Sequence, residues 1–114
     1  MSSENNLIEK INHILDEMQA INIVQLDVRH QTSITDFMYI CSGRSSRHVS
    51  AIADELFTQL KKSGIEYIRV TGKEHGEWAL IDCGEVIVHV MQPEVRAFYN
   101  LEELWQDVPS STKD

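Results

Sequence analysis

Apolar residues near the start of this chain recur every three or four positions, which is the spacing of one face of a helix. The apolar stripe consists of Leu7, Ile11, Ile14, Leu15 and Met18. It predicts a first helix of about four turns. Ser2 or Ser3 could serve as the N-cap of this helix.

The period then changes from that of a helix to that of strands. Two runs rich in β-branched and aromatic residues, 23–28 and 36–41, predict strands on either side of a polar connector at 29–35. A second helical stripe follows, with Val49, Ile52, Ala53, Leu56, Phe57 and Leu60 on one side. Gly64 after Lys61 and Lys62 is a suitable end for this helix, because cations favour the negative helix terminus.

A short strand is predicted at 67–70, and a β-hairpin follows it within residues 75–91. Two apolar-rich runs flank Cys83 and Gly84, and a glycine there supplies the positive φ of a tight turn. A two-residue loop at these positions would place Asp82 opposite Glu85 and Trp78 opposite His89.

Alternation along the hairpin predicts two chemically different faces. One face is small and apolar, as expected of a core, and consists of Ala79, Ile81, Val86, Val88 and Val90. The other face combines large apolar groups with polar ones: Trp78, Leu80, Asp82, Ile87, His89 and Met91. Such mixtures are typical of binding surfaces, although burial beneath a second helix layer is an equal alternative. A bulge at the turn would exchange the faces on one strand.

Beyond the hairpin, Pro93 is expected to begin a short helix or turn. Val95, Phe98, Leu101, Leu104 and Trp105 can line one side of a terminal helical segment that is broken near Asn100. The element order is then α, β, β, α, β, β, β, α. It predicts an α/β (α+β) fold with one domain over 1–108, a mixed five-stranded sheet with flanking helices, and a flexible C-terminal tail at 109–114.

The bulk composition agrees with a single domain. The chain has 114 residues, of which 42% are hydrophobic and 25% charged, as in ordinary globular proteins. No apolar run approaches the roughly 20 residues of a membrane span, and the polar start does not resemble a secretory signal. We therefore expect a cytoplasmic protein that does not engage a membrane.

The net charge of −8 opposes direct binding to nucleic acid, because phosphate contacts require lysine and arginine. The same charge suits a basic protein partner, although acidity more often only keeps a protein soluble.

Several residues could in principle support catalysis, but their arrangement is unfavourable. A nucleophilic triad of Ser45 or Ser46 with His48 and Asp36 would use adjacent helical positions that do not face each other. Ser45 or Ser46 is better explained as a helix N-cap. The two cysteines, Cys41 and Cys83, are expected to be free thiols, and the five histidines lack ligand spacing.

A metal site is also weakly supported. Asp27, Asp36 and Asp82 could form a carboxylate cluster for a divalent metal, and the Ser42-Gly43 step faintly suggests a phosphate-binding helix start. No paired acidic ligands lie on a strand after that helix. We expect neither a metal nor a cofactor.

Four motifs, in the right order and at the right separations, resemble the Iojap family, the bacterial ribosome silencing factors. They are DFMYICSGRS at 36–45 with His48 and Val49, GEWALID at 76–82, VHVM at 88–91, and RAFY at 96–99 with Leu101, Glu102, Leu104 and Trp105. The resemblance covers nearly the whole domain.

This resemblance implies a function that composition cannot show. Family members bind the large ribosomal subunit through ribosomal protein L-fourteen and block its joining to the small subunit, which represses translation when nutrients are short. The family fold resembles a nucleotidyltransferase but has no paired metal carboxylates, so the resemblance implies a non-enzyme, often a homodimer. A nucleotidyltransferase-like enzyme or nucleotide-binding protein is the alternative.

On the same resemblance, the partner-binding residues are Trp78, Leu80, Asp82, His89, Met91, Arg96, Phe98 and Tyr99. Trp78 and Leu80 would be the main anchors. Phe98 and Leu101 could instead close the core, and the sequence does not separate these two roles.

Overall fold

The computed structural model describes residues 3–105 of the chain. Its elements are α1 (Ser3–Glu17), β1 (Ile21–Asp27), β2 (Phe37–Ser42), α2 (Ser46–Lys62), β3 (Arg69–Thr71), β4 (Trp78–Asp82), β5 (Val86–Met91), α3 (Pro93–Tyr99) and α4 (Leu101–Trp105). The capping of α1 by Ser2 or Ser3, the domain end at 108 and the tail at 109–114 fall outside what the structure describes. Within 3–105, no helix is long and apolar enough to cross a membrane.

The strands form one five-stranded sheet in the order β1-β2-β5-β4-β3. The central β2–β5 pair is parallel, and the three outer pairs are antiparallel. The predicted single domain with a mixed five-stranded sheet and flanking helices is therefore confirmed. The bounds of β1, β2 and β3 differ from the predicted ones by one or two residues at either end.

The long helices α1 and α2 cover one face of the sheet. The predicted helical stripes are buried there with Tyr39 and Cys41 of β2 and with the small apolar hairpin face, which comprises Ala79, Ile81, Val86, Val88 and Val90. Phe57 was assigned to the α2 stripe wrongly, because its side chain is 38% exposed. Ser45 caps α2 by accepting the backbone N–H of His48 at 3.1 Å, as predicted.

The opposite face of the sheet carries a smaller second core beneath α3 and α4. Its buried residues are Val28, Met38, Ile40 and Met91, against which Leu26, Trp78, Val95, Leu101 and Trp105 pack. The predicted break at Asn100 is confirmed, since that residue ends α3 in a left-handed conformation with φ of 51°. Phe98 and Leu104 do not share the predicted buried side, because they are 79% and 69% exposed.

The difference in helix length explains why the two faces of the sheet are covered unequally. α1 and α2 have 15 and 17 residues, whereas α3 and α4 have 7 and 5. At 1.5 Å per residue, the short helices are only about 10 and 8 Å long, against about 23 and 26 Å for the long ones. Part of the second face therefore remains uncovered.

The predicted hairpin register was wrong by two residues. The backbone N–H of Cys83 donates to the carbonyl of Val86 at 2.9 Å, so the turn residues are Gly84 and Glu85, and Trp78 pairs with Met91. The Asp82 carboxylate accepts the Gly84 N–H at 2.8 Å, and Gly84 has a φ of 82° at the first turn position. Because the shift is even, every side chain keeps the face predicted for it.

Arg96 is buried, and its placement among exposed partner-binding residues was wrong. Its side chain is 11% exposed, and Nη1 donates to the carbonyl of Ile21 at 3.3 Å and to Ser42 Oγ at 3.1 Å. Nε and Nη2 donate to Glu102 Oε2 at 3.0 and 2.7 Å. One guanidinium thus connects α3 to β1, β2 and α4, and we call this set of bonds the Arg96 clamp.

Replacing Arg96 by alanine is expected to lower the free energy of unfolding by about 2–4 kcal/mol, because it leaves Glu102 and Ser42 without their buried donor. Urea denaturation measures the change. Arg47→Ala, at an exposed position on α2, is the matched control and should change stability by at most about 0.5 kcal/mol. Equal stability of the two variants would contradict the structural role of the clamp.

Candidate functional site

A groove of about 230 Å³ lies on the incompletely covered face of the sheet. We call it the sheet groove. It is lined by Thr32, Ile34, Thr35, Met38, Trp78, Leu80, Ile87, His89, Leu101 and Trp105. Three parts of the chain therefore contribute: the connector before β2, strands β2, β4 and β5, and the last helix.

Strand alternation places the central residues of the groove. Trp78 and Leu80 lie two positions apart on β4, and Ile87 and His89 lie two positions apart on the neighbouring β5. Leu80 pairs directly with His89, so these side chains project on the same side of the sheet. Trp78, Leu80 and Ile87 are only partly buried, because α4 reaches just one side of them.

A row of aromatic side chains extends the groove onto α3. The Trp78 ring lies 4.8 Å from the Tyr99 ring, which lies 5.0 Å from the Phe98 ring in an edge-on arrangement. Phe98 is 79% and Tyr99 53% exposed, so Phe98 does not close the core. The structure thus brings together five of the predicted site residues, Trp78, Leu80, His89, Phe98 and Tyr99. It shows their proximity, and their role in binding stays a prediction.

His89 forms the polar floor of the groove. The indole Nε1–H of Trp78 donates to His89 Nδ1 at 3.0 Å, and the imidazole is 7% exposed. Because Nδ1 accepts a hydrogen bond, the neutral ring carries its proton on Nε2. Burial in apolar surroundings disfavours the charged form and lowers the pKa of His89 to about 4.

Two further predicted site residues, Met91 and Asp82, have mainly structural roles. Met91 is fully buried and His89 nearly so, because α3 and α4 fold back over this end of β5. The expectation that they lie on an exposed sheet surface was wrong. Asp82 lies four residues from Trp78, about 13 Å along the strand, and its carboxylate holds the hairpin turn.

Sequence reasoning missed several residues of this surface. Ile34 is 78% exposed and lines the groove from a connector that looked uniformly polar. A large aliphatic residue alone in a polar segment was the available signal. Leu101 and Trp105 line the groove from α4, and Leu104 of the same helix is exposed. Their contribution depends on the turn at Asn100, which sets the direction of α4.

The proposed triad residues are used in structural hydrogen bonds. The backbone N–H of Arg44 donates to Nδ1 of His48 at 2.8 Å, and Nε2 of His48 lies 2.9 Å from the carbonyl oxygen of Met18. A carbonyl can only accept, so Nε2 carries the proton and both ring nitrogens are occupied. With Ser45 capping α2, the structural explanation of these residues is confirmed.

Residues at the candidate phosphate and metal positions also make structural contacts. Ser42 Oγ is buried and accepts from Arg96. A Cβ on Gly43 would lie 2.8 Å from Val49 Cγ2, so glycine is needed there for the close approach of α2. Asp27 pairs with Arg29 at 2.6 Å, which holds its carboxyl pKa low, at about 2. Among residues 3–105, no cluster of three or more histidine, cysteine or acidic residues could hold a metal ion.

Both cysteines are free, as predicted, and the structure shows that both are buried. Burial raises the pKa of the Cys41 and Cys83 thiols to about 12. At neutral pH the thiols are therefore protonated and poorly nucleophilic.

Comparison with known proteins identifies the family. The whole chain, residues 1–114, matches the family model described as ribosomal silencing factor during starvation. The chain belongs to the ribosomal silencing factor family. The resemblance to Iojap proteins is confirmed, since relatives with that name occur in plants.

The similarity to individual proteins covers most of the chain. A ribosomal silencing factor from Haemophilus influenzae is 48% identical over 87% of this chain and 97% of its own length. A crystal structure from Chromobacterium violaceum has a TM-score of 0.87 at 35% identity and covers 92% of this chain and 87% of its own. A mouse relative, named for mitochondrial assembly of the ribosomal large subunit, is 32% identical over 86% of this chain and 44% of its own length.

Stability should fall as the pH drops from about 6.5 to about 4. Over this range His89 becomes protonated in the unfolded chain but stays neutral in the folded chain. Proton binding therefore stabilises the unfolded state relative to the folded one. The lowered pKa corresponds to a loss of about 3 kcal/mol by pH 4. Above about pH 6.5, His89 is neutral in both states and this pH-dependent loss of stability is absent.

Urea denaturation at several pH values measures this effect. His89→Asn is the control, because its side-chain oxygen can still accept from Trp78 but the amide does not titrate. The difference in unfolding free energy between the unsubstituted protein and His89→Asn should narrow or reverse towards pH 4. Parallel pH profiles for the two proteins would contradict the burial of a neutral imidazole.

Proposed function

We propose that the chain represses translation by binding the large ribosomal subunit through ribosomal protein L-fourteen, where it sterically blocks association with the small subunit under nutrient limitation. Membership in the ribosomal silencing factor family supports a role at the ribosome. The mouse relative named for large-subunit assembly supports the choice of subunit.

The single observation that carries the proposal is the apolar surface formed by the sheet groove and the aromatic row. Phe98, Leu104 and Ile34 are each more than two-thirds exposed. Burying such groups against a partner is favourable in proportion to the apolar area removed from water. Partly buried Trp78 and Tyr99 lie beside them, and aromatic residues are enriched among those that dominate binding energy.

The charge of the molecule favours a protein contact over an RNA contact. The net charge is −8, and Glu103 lies on α4 between groove residues Leu101 and Trp105, whereas Glu102 of the same helix is neutralised by its ion pair with Arg96. These charges would repel the phosphate backbone of ribosomal RNA and attract a basic ribosomal protein. Blocking by occupation needs no catalytic group, so we propose a non-enzymatic, cytoplasmic factor without a cofactor. Homodimerisation remains part of the proposal, with one protomer engaging the subunit.

The alternative of a nucleotidyltransferase-like enzyme or nucleotide-binding protein has weaker support. The Ser42-Gly43 step that suggested a phosphate site is occupied by the Arg96 side chain and by the close packing of α2. Asp27 and Asp82 are engaged in separate local contacts, with Arg29 and Gly84 respectively.

Co-sedimentation with separated ribosomal subunits tests the proposal. The protein should sediment with large subunits and not with small ones, and it should inhibit formation of whole ribosomes from the two. Ile34→Asp and Phe98→Ala should each weaken large-subunit binding by about tenfold or more, because each removes exposed apolar contact area.

Phe57→Ala is the matched control, because Phe57 is an exposed aromatic residue on α2, at the opposite face of the sheet. It should bind as the unsubstituted protein does, and thermal melting should show that all three variants are folded. Failure of the unsubstituted protein to follow large subunits would contradict the proposed function. Undiminished binding by both groove variants would contradict only the assignment of the surface.

A further inference from the structure

His89 has one hydrogen-bonding group that the fold does not use. Its Nδ1 accepts from Trp78, which leaves the proton on Nε2, and no residue among 3–105 accepts a hydrogen bond from that Nε2–H. No side-chain nitrogen or oxygen in this part of the chain is both fully buried and without a partner. Nε2 therefore still reaches solvent, and the opening that His89 lines is the sheet groove.

The surroundings make this donor unusual. Apart from Thr32 and Thr35, the residues that line the groove with His89 are large and apolar or aromatic. Leu80 pairs with His89 across the strands, and Met38, Ile87 and Leu101 line the same space. His89 itself is only 7% exposed. A partner that covers the groove would remove the remaining water, and a buried donor without an acceptor costs free energy.

We propose that the sheet groove binds a protein segment that inserts one large apolar side chain and presents a carbonyl oxygen to the Nε2–H of His89. This inference rests on the proposed function and specifies how its surface recognises the partner. His89 is then the specificity-determining polar contact. Trp78 is a positioning residue, because its hydrogen bond to Nδ1 keeps the His89 proton on Nε2.

The size and charge of the site favour this occupant. Small-molecule pockets are usually about 300–1,000 Å³, and the sheet groove, at about 230 Å³, is below that range. An apolar side chain from another protein needs less space than a cofactor. Glu103 on α4 and the net charge of −8 disfavour a phosphorylated ligand and suit a segment from a basic protein.

Two substitutions at position 89 distinguish the role of Nδ1 from the role of Nε2. In His89→Gln the side-chain amide reaches the place of Nε2 and can donate there, but the acceptor for Trp78 is lost. In His89→Asn the amide ends near Nδ1, so Trp78 keeps an acceptor and the donor to the groove is lost. Affinity for large ribosomal subunits is measured for both variants, and thermal melting is recorded alongside.

The proposal predicts that His89→Asn binds large subunits about 10- to 100-fold more weakly, because the partner's carbonyl is left unpaired. His89→Gln should bind within about threefold of the unsubstituted protein, even if its melting temperature is lower. Unchanged binding by His89→Asn, or an equal loss in both variants, would overturn the proposal. If the unsubstituted protein itself does not bind large subunits, it is the proposed function that fails.

Discussion

The Arg96 clamp is the constraint on which the candidate site depends. It joins α3 to the carbonyl of Ile21 at the sheet edge, to Ser42 at the end of β2 and to Glu102 on α4. Without these bonds, two helices of 7 and 5 residues would have little to hold them on the sheet, since helices this short are unstable alone. The clamp therefore keeps α4 beside β4 and β5, and the sheet groove exists between them.

The same short helices give the protein a surface suited to binding. On the α1–α2 side, the helices cover the central strands, whose residues form an ordinary apolar core. On the other side, coverage stops part-way, so Leu80 and Ile87 are only partly buried and Phe98 is exposed. Exposed apolar area of this kind would be a liability unless a partner covers it, and the ribosomal silencing factor family provides the context for that partner.

Sequence patterns predicted the sheet, the long helices and the face of each hairpin residue, because these follow from local periodicity. They failed at one local side-chain hydrogen bond and at positions whose contacts are distant in sequence. The turn moved to Gly84 and Glu85 because the Asp82 carboxylate bonds the Gly84 N–H. Arg96 looked like a surface residue because its acceptors lie up to 75 positions away in sequence. Ile34 looked like part of a polar loop because its neighbours in the groove come from other strands and α4.

The most direct test of the central claim is a cryo-electron microscopy structure of the chain bound to a large ribosomal subunit. The account predicts that the sheet groove, with Trp78, Leu80 and His89, faces ribosomal protein L-fourteen, and that the bound chain overlaps the position of the small subunit. A complex in which α1 and α2 contact the subunit while the groove faces solvent would contradict it.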